Sequence, residues 1–223
     1  MVPVHIIVAI SENFGIGNSS LNGKLPWNLP SETKYYLKQS TRRQNEGTKA
    51  CWIMGRNTFE QQFSHNQPFS ILAGKESPPV VKIVLSTSWS TIPSRFDNVS
   101  DVKLARNWTQ VIDLVNSLCG QIEEAWNIGG PLVYTEQIKD IMENRKRYEN
   151  SRLYVTKISA SFPCDLFFPR IDFKSMCELP HENGNEIMEE SEIQFTYHVF
   201  ELQHVKLTSE ETSTSSRFLH DLN

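Results

Sequence analysis

Short apolar runs, separated by polar stretches that carry the glycines and prolines, divide the chain into elements. The first run, Val4-His5-Ile6-Ile7-Val8-Ala9-Ile10, lacks two-residue alternation and predicts a strand covered on both faces. The polar stretch from Ser11 to Lys24, with glycines at 15, 17 and 23, predicts a loop. Pro30 opens a helical pattern that runs to about Arg43. Tyr36, Leu37 and Ser40 form its inner side, and Lys34, Lys38, Arg42 and Arg43 are expected in solvent. Cys51-Trp52-Ile53-Met54 predicts a second strand, ended by Gly55 and followed by a helix through Thr58 to about Phe63. Residues 65 to 79, with prolines at 68, 78 and 79, read as a loop. Val80 to Leu85 and Val102 to Ala105 predict the third and fourth strands. Thr109 to Leu118 has helical spacing of apolar residues. Ala125 to Ile128 predicts a fifth strand, broken by Gly129-Gly130, and Pro131 starts a helix to about Met142. Leu153 to Ile158 and Phe195 to Glu201 complete the strands. The second of these alternates, so it is expected near an edge, paired antiparallel. Residues 174 to 192 read as an acidic surface loop. From about Thr208, Ser, Thr and Glu dominate, so the expected division is a domain at 1–207 and a flexible tail at 208–223.

Short apolar strands alternating with helices predict a single α/β domain with a central, mostly parallel twisted sheet, one antiparallel edge strand and flanking helices. Ligands in such sheets bind beyond the carboxyl ends of the strands. The chemistry is therefore expected just after strands one, two, three and five. With 39% hydrophobic and 22% charged residues and a formal charge of -4, the composition is that of an ordinary globular chain. Nothing in that balance attracts nucleic acid or acidic membranes, and no run approaches the roughly 20 apolar residues of a membrane span. No signal peptide is expected at the start. The four cysteines, 51, 119, 164 and 177, form no C-x-x-C pair and are expected as free thiols in a reducing, cytoplasmic setting. The six histidines show no metal-binding spacing, so no metal is expected.

Four constellations carry candidate chemistry. Gly15-Ile16-Gly17 follows the first strand but lacks the third glycine of a dinucleotide fingerprint, and alone it describes a tight turn. In Leu25-Pro26-Trp27-Asn28-Leu29-Pro30-Ser31-Glu32, the acid sits in the first helical turn. It is either a residue favoured there by the helix dipole or as a capping-box partner, or a carboxylate aimed into a pocket walled by Trp27, Leu25 and Tyr36. In the second case burial raises its pKa and lets it hold a proton near neutral pH. Gly55-Arg56-Asn57-Thr58 is either a plain helix start or a phosphate site built from free N–H groups, a guanidinium and a hydroxyl. Ile128-Gly129-Gly130-Pro131-Leu132-Val133-Tyr134 offers a second such helix start, where two glycines let another backbone or a pyrophosphate approach.

Taken in order along successive strand ends, these motifs resemble dihydrofolate reductase. The resemblance runs from about Val4 to Glu201. It is carried by Val8-Ala9-Ile10, Gly15-Ile16-Gly17, Leu25-Pro26-Trp27, Glu32, Ile53 to Thr58, Val84-Leu85-Ser86, Ile128-Gly129-Gly130, Tyr134, Leu153 to Thr156 and Asp165 to Pro169. Glu at the acidic position and the run Phe167 to Asp172 are similar to the animal-type, monofunctional enzymes.

The resemblance implies reduction of 7,8-dihydrofolate to tetrahydrofolate with NADPH, serving one-carbon metabolism and thymidylate and purine synthesis, by an antifolate target. It implies a cytoplasmic monomer whose partner is the small substrate. Glu32 would grip the pterin and assist protonation at N5, supported by Thr156, with Trp27 ordering a water and Tyr134 at the junction with the nicotinamide. Ile7, Val8, Leu25, Thr33, Tyr36, Leu37 and Ile128 would complete the substrate pocket. Ala9, Ile16 and Gly17 would hold the nicotinamide end. Gly55, Arg56, Asn57 and Thr58, with Ile128, Gly129, Gly130, Pro131, Leu132, Val133 and Tyr134, would hold the pyrophosphate. Leu85, Ser86 and Thr87 would meet the adenosine end and Arg106 the adenine. The loop at 15–24 would close over the ring.

Three positions depart from the family pattern. The closing loop carries extra polar residues from Asn18 to Asn22. Thr87 stands where a basic residue would select the 2′-phosphate. Val80 stands where an arginine would bind the glutamate tail of folate, with Lys75 and Lys82 as nearby cations that lack its planar fork. Alternatives from the same fold are a reductase of another pterin or of a riboflavin precursor, and a folate- or NADPH-binding protein without turnover.

Overall fold

The structure, a computed structural model, describes residues 1–63, 79–182 and 186–208. Most of the expected loop at 65–79, Lys75 and nearly all of the expected tail lie outside those residues. Strand β1 (Val4–Ser11) occupies the middle of the main sheet. Outward on one side come β6 (Ala125–Asn127), β3 (Ala50–Gly55), β4 (Val80–Leu85) and β5 (Val102–Ala105), all parallel. On the other side β7 (Arg152–Ile158) is parallel to β1, and β11 (Ile193–Glu201) runs antiparallel to β7. The mixed, mostly parallel sheet with an antiparallel end is thus the expected fold class.

Side chains of the central strands are buried on both faces and alternate between two clusters, as the pleat requires. Ile6, Val8, Ile10, Cys51, Ile53, Val81 and Ile83 enter one hydrophobic cluster, and Ile7, Trp52, Met54, Val80 and Val84 enter another across the sheet. Helices α1 (Pro30–Ser40) and α2 (Arg56–Phe63) send Tyr35, Leu37 and Phe59 to the second cluster. Helices α3 (Trp108–Ser117) and α4 (Pro131–Glu143) send Trp108, Val111, Val133 and Ile138 to the first. The helix after β1 and the helix after β6 therefore cover opposite faces. This divergence opens a crevice at the carboxyl ends of the central strands.

Three expectations are corrected. The stretch at 11–24 is not only loop: β2 (Gly15–Gly17) pairs with β8 (Leu166–Phe167) in a separate two-stranded ribbon. Segments this short show no periodicity, and the partners lie far apart in sequence. The acidic segment at 174–192 likewise contains β9 (Glu178–Leu179) and β10 (Met188–Glu190), both antiparallel to β11.

Helix α1 stops at Ser40, short of Arg43, and Arg42 is not merely solvated. The Ser40 carbonyl accepts from Trp52 Nε1 at 2.9 Å. Arg42 reaches back to the sheet, donating to Glu124 at 2.6 and 3.0 Å and to the Tyr154 hydroxyl at 2.9 Å. Its guanidinium lies 4.9 Å from the Trp126 ring centroid. His5 bonds the same carboxylate at 2.8 Å and accepts at Nδ1 from the Arg152 N–H. Burial pushes Glu124 upward, but the hydrogen bonds and charges of His5 and Arg42 outweigh it and hold the carboxyl at about 2.

Truncation of the fully buried Ile53 to Ala should lower unfolding stability by about 2–5 kcal/mol. Ile187→Ala, at a side chain 65% exposed, should stay within about 0.5 kcal/mol of the parent. Urea unfolding of the two variants checks the contrast.

Candidate active site

Glu32 stands in the first turn of α1 with only 7% of its surface exposed. Its Oε1 accepts a hydrogen bond from Thr156 Oγ1 of β7 at 3.2 Å. Burial pushes the carboxyl up to about 7, against the lowering effect of the threonine bond. In β1, Ala9 lies directly beside Thr156 in register, so the end of that strand borders the same spot. Burial also raises the hydroxyls of Tyr36 on α1 and Tyr134 on α4, and the Glu32 charge raises both further. Glu32, Tyr36 and Tyr134 are therefore close enough to feel one another. Trp27 packs against Phe162 at 5.1 Å between ring centroids, and its Nε1 is buried without an acceptor from the protein.

Tyr134 donates to the Ile7 carbonyl at 2.9 Å and stands beneath Gly129. A Cβ at Gly129 would come within 2.7 Å of the Tyr134 ring, and its φ of +99° already excludes ordinary side chains. Gly55 donates to the Gly129 carbonyl at 2.8 Å, and a Cβ there would lie 3.2 Å from Val133. A Cβ at Gly130 would meet Thr58 Oγ1 at 3.4 Å. The amino ends of α2 and α4 thus abut through glycine backbone. The peptide between Gly129 and Gly130 is cis.

Beside this junction Arg56 donates to Ser88 Oγ at 3.0 Å and to Asn57 Oδ1, while Arg106 donates to the Thr87 carbonyl at 3.1 Å. Ser86 Oγ lies 3.2 Å from Ser88 Oγ and accepts from the Trp89 N–H. Two arginines therefore flank the 86–88 turn.

The remaining residues singled out in the sequence fall as follows. Ile7, Leu37 and Ile128 are buried on the Trp27 face. Thr33 is half-buried and donates to the Leu29 carbonyl. Leu25 is partly exposed and Leu132 largely so, while Val133 is buried. β1 alternation turns the Val8 side chain to the opposite cluster, so its backbone is what it offers at this end. Ile16 and Leu85 also pack against that opposite cluster. Gly17 lies against Gly23, where a Cβ would meet the Gly23 carbonyl at 2.7 Å. The loop is tied down by Asp165, which accepts from the Ser19 N–H at 2.7 Å, and by Gln61, which donates to the Asn22 carbonyl.

One group was missed. Asn127 is fully buried, accepts from the Gly129 N–H at 3.0 Å and donates to the Val133 carbonyl and to Gln137. Gln137 in turn donates to the Val4 carbonyl at 2.8 Å. A polar residue closing an apolar strand just before Gly-Gly was the available signal. Among the described residues, no group of three or more His, Cys, Asp or Glu is placed to hold a metal, and no helix is long and apolar enough to cross a membrane.

A family model described as dihydrofolate reductase matches residues 3–202. The chain belongs to the dihydrofolate reductase family. Curated relatives include dihydrofolate reductases of Rattus norvegicus, 32% identical and covering 89% of this chain and 97% of the relative, and of Drosophila melanogaster, 32% identical with 90% and 98% covered. That of Aedes albopictus is 30% identical, with 88% and 95% covered. Among solved structures, Schistosoma mansoni dihydrofolate reductase superposes with a TM-score of 0.62 over 90% of this chain and 98% of that one, at 23% identity. That likeness shows the fold, and the family assignment agrees with the resemblance read from the motifs.

A carboxyl raised from 4.5 to about 7 makes the native state bind a proton more tightly than the unfolded chain. Its contribution to stability is complete below the unfolded value and is lost as pH rises through the folded one, by roughly 3 kcal/mol in all. Glu32→Gln should therefore flatten the stability profile across that window and be more stable than the parent above about pH 7. Denaturant unfolding of both proteins across the range measures the difference.

Proposed function

We propose that this enzyme reduces 7,8-dihydrofolate to 5,6,7,8-tetrahydrofolate with NADPH, supplying one-carbon metabolism, and that Glu32 holds the proton the reaction consumes. The observation that carries the reading is a buried carboxyl, pushed up to about 7, that is bonded by Thr156 and felt by Tyr36 and Tyr134, the latter standing beneath Gly129 of the glycine junction. A proton store is most effective when its pKa lies near the working pH. Thr156 orients one carboxyl oxygen and leaves the other available to a flat heterocycle with adjacent N–H groups. Trp27 Nε1, buried without a protein acceptor, suits a bridging water beside the acid.

The glycine junction fits a dinucleotide. Gly55, Gly129 and Gly130 keep side chains out of the gap, and two helix amino ends with Arg56 and Thr58 favour a pyrophosphate there. Ser86, Thr87 and Arg106 would meet the adenosine end, with Arg56 as the cation nearest the 2′-phosphate in place of a basic residue at 87. Ala9, Ile16 and Gly17 would border the nicotinamide. When bound, NADPH supplies the hydride. The chain's own task is to align the two rings, exclude water and deliver a proton.

NADPH oxidation that depends on dihydrofolate tests the reading directly. Glu32→Gln should lose on the order of 10²–10⁴-fold in turnover at neutral pH, with the deficit relieved when the substrate arrives already protonated. Unchanged turnover would remove Glu32 from the mechanism. The absence of any dihydrofolate-dependent oxidation in the parent would leave a binding protein instead.

The substrate tail generates a second expectation. Val80 is buried in the core, and Lys82 donates to the Ser100 carbonyl at 3.1 Å, so neither supplies the fork for the tail that the resemblance places at position 80. Diglutamyl and tail-less substrates should therefore differ less in KM than they do for a relative with arginine there. Steady-state kinetics with both substrates decides it, and an equal difference would refute it.

A further inference from the structure

Helix α1 begins without a cap of its own. Its N-cap, Leu29, offers no side-chain acceptor, Pro30 has no N–H, and the Thr33 N–H bonds back to the Leu29 carbonyl at 3.0 Å. The Ser31 N–H is satisfied from elsewhere in the chain. Glu190 Oε2, at the end of β10 and 159 positions downstream, accepts from the Ser31 N–H at 3.0 Å and from Ser31 Oγ at 2.6 Å. A carboxylate at this helix end also complements the macrodipole.

The other end of the connection returns to the same acid. Glu190 pairs with Ile193 across the β10–β11 hairpin, whose turn residues Ser191 and Glu192 are both left-handed, with φ of 53° and 63°. Tyr197 of β11 lies beside Thr156 of β7, and Thr156 donates to Glu32. Glu32 is thus held at its carboxyl by β7 and, through the adjacent residue, at its backbone by β10.

We propose that Glu190 is a positioning residue, which caps α1 from a distant hairpin and so sets the depth at which Glu32 sits in its pocket. The inference rests on the reading of Glu32 as the proton-holding acid. It assigns a task to β10 of the acidic segment beyond its pairing with β11.

The groups that face Glu32 are Tyr36 from its own helix, Tyr134 from α4, Tyr197 from β11 and Thr156 from β7. Burial raises all three phenols, so they stay neutral near neutral pH. Glu190 has Lys34 nearby, and its bonds from Ser31 hold it below the usual carboxylate range. It therefore stays charged while Glu32 titrates. A cap that loosens should admit water to Glu32 and let its pKa fall toward the ordinary value.

The test measures kcat and KM for dihydrofolate and NADPH, from about pH 5.5 to 9, on the full-length parent, Glu190→Ala, Glu190→Gln and Glu32→Gln. Misplacing the acid slightly should cost Glu190→Ala about fivefold in kcat/KM for dihydrofolate at neutral pH. The alkaline limb of its profile should move to lower pH by about half a unit or more, with KM for NADPH unchanged. Glu190→Gln retains an acceptor for Ser31 and should stay within about twofold of the parent. A Glu190→Ala profile that superimposes on the parent overturns the inference. So does a Glu190→Gln as impaired as Glu190→Ala, because the acceptor would then not be what matters. Impaired Glu32→Gln beside unaltered Glu190→Ala sinks the cap alone, whereas fully active Glu32→Gln sinks the reading of the acid and the cap with it.

Discussion

Desolvation of one carboxyl is the constraint on which the rest of this molecule turns. In water Glu32 would be ionised at neutral pH. Buried beside Thr156 and within the electrostatic reach of Tyr36 and Tyr134, it has its pKa pushed up to about 7. That enclosure costs stability, as placing an ionisable group in a low-dielectric site must. The helix carrying it is correspondingly well anchored. Trp52 takes its last carbonyl, Arg42 ties the following turn to Glu124 and Tyr154, and Glu190 holds its first free N–H.

The second requirement is a gap that no side chain enters. Gly55, Gly129 and Gly130 meet where two helices begin on opposite faces of the sheet, and Asn127 with Gln137 satisfies the buried backbone around them. The parallel strand arrangement creates that place, because β1 and β6 send their helices to different faces. Acid and gap therefore lie at the same sheet end for a topological reason.

The main strands and helices were legible because each buries a long, regular pattern: Val80–Leu85 and Val102–Ala105 appear with the boundaries read from the residues. Gly55 and Gly129-Gly130 could be found because glycine after an apolar strand has few other uses. The ribbon of β2 and β8, and strands β9 and β10, were not legible: each has two or three residues, and its pairing depends on a distant partner. Arg42 looked like surface charge because its aromatic partners come from β6 and β7 and its acidic partner from the loop before β6. The turn of Val8 to the other face follows from the pleat of β1 and could have been read by counting from Ile7.

That pleat has an evolutionary consequence. Inserting or deleting one residue early in β1 would exchange its two faces, sending Ile7 and Ala9 under α4 and Val8 toward the acid. The strand can diverge by replacement but not by change in length. The same rule holds for the β10–β11 hairpin, where a one-residue shift would take Met188 off the core and Glu190 off Ser31.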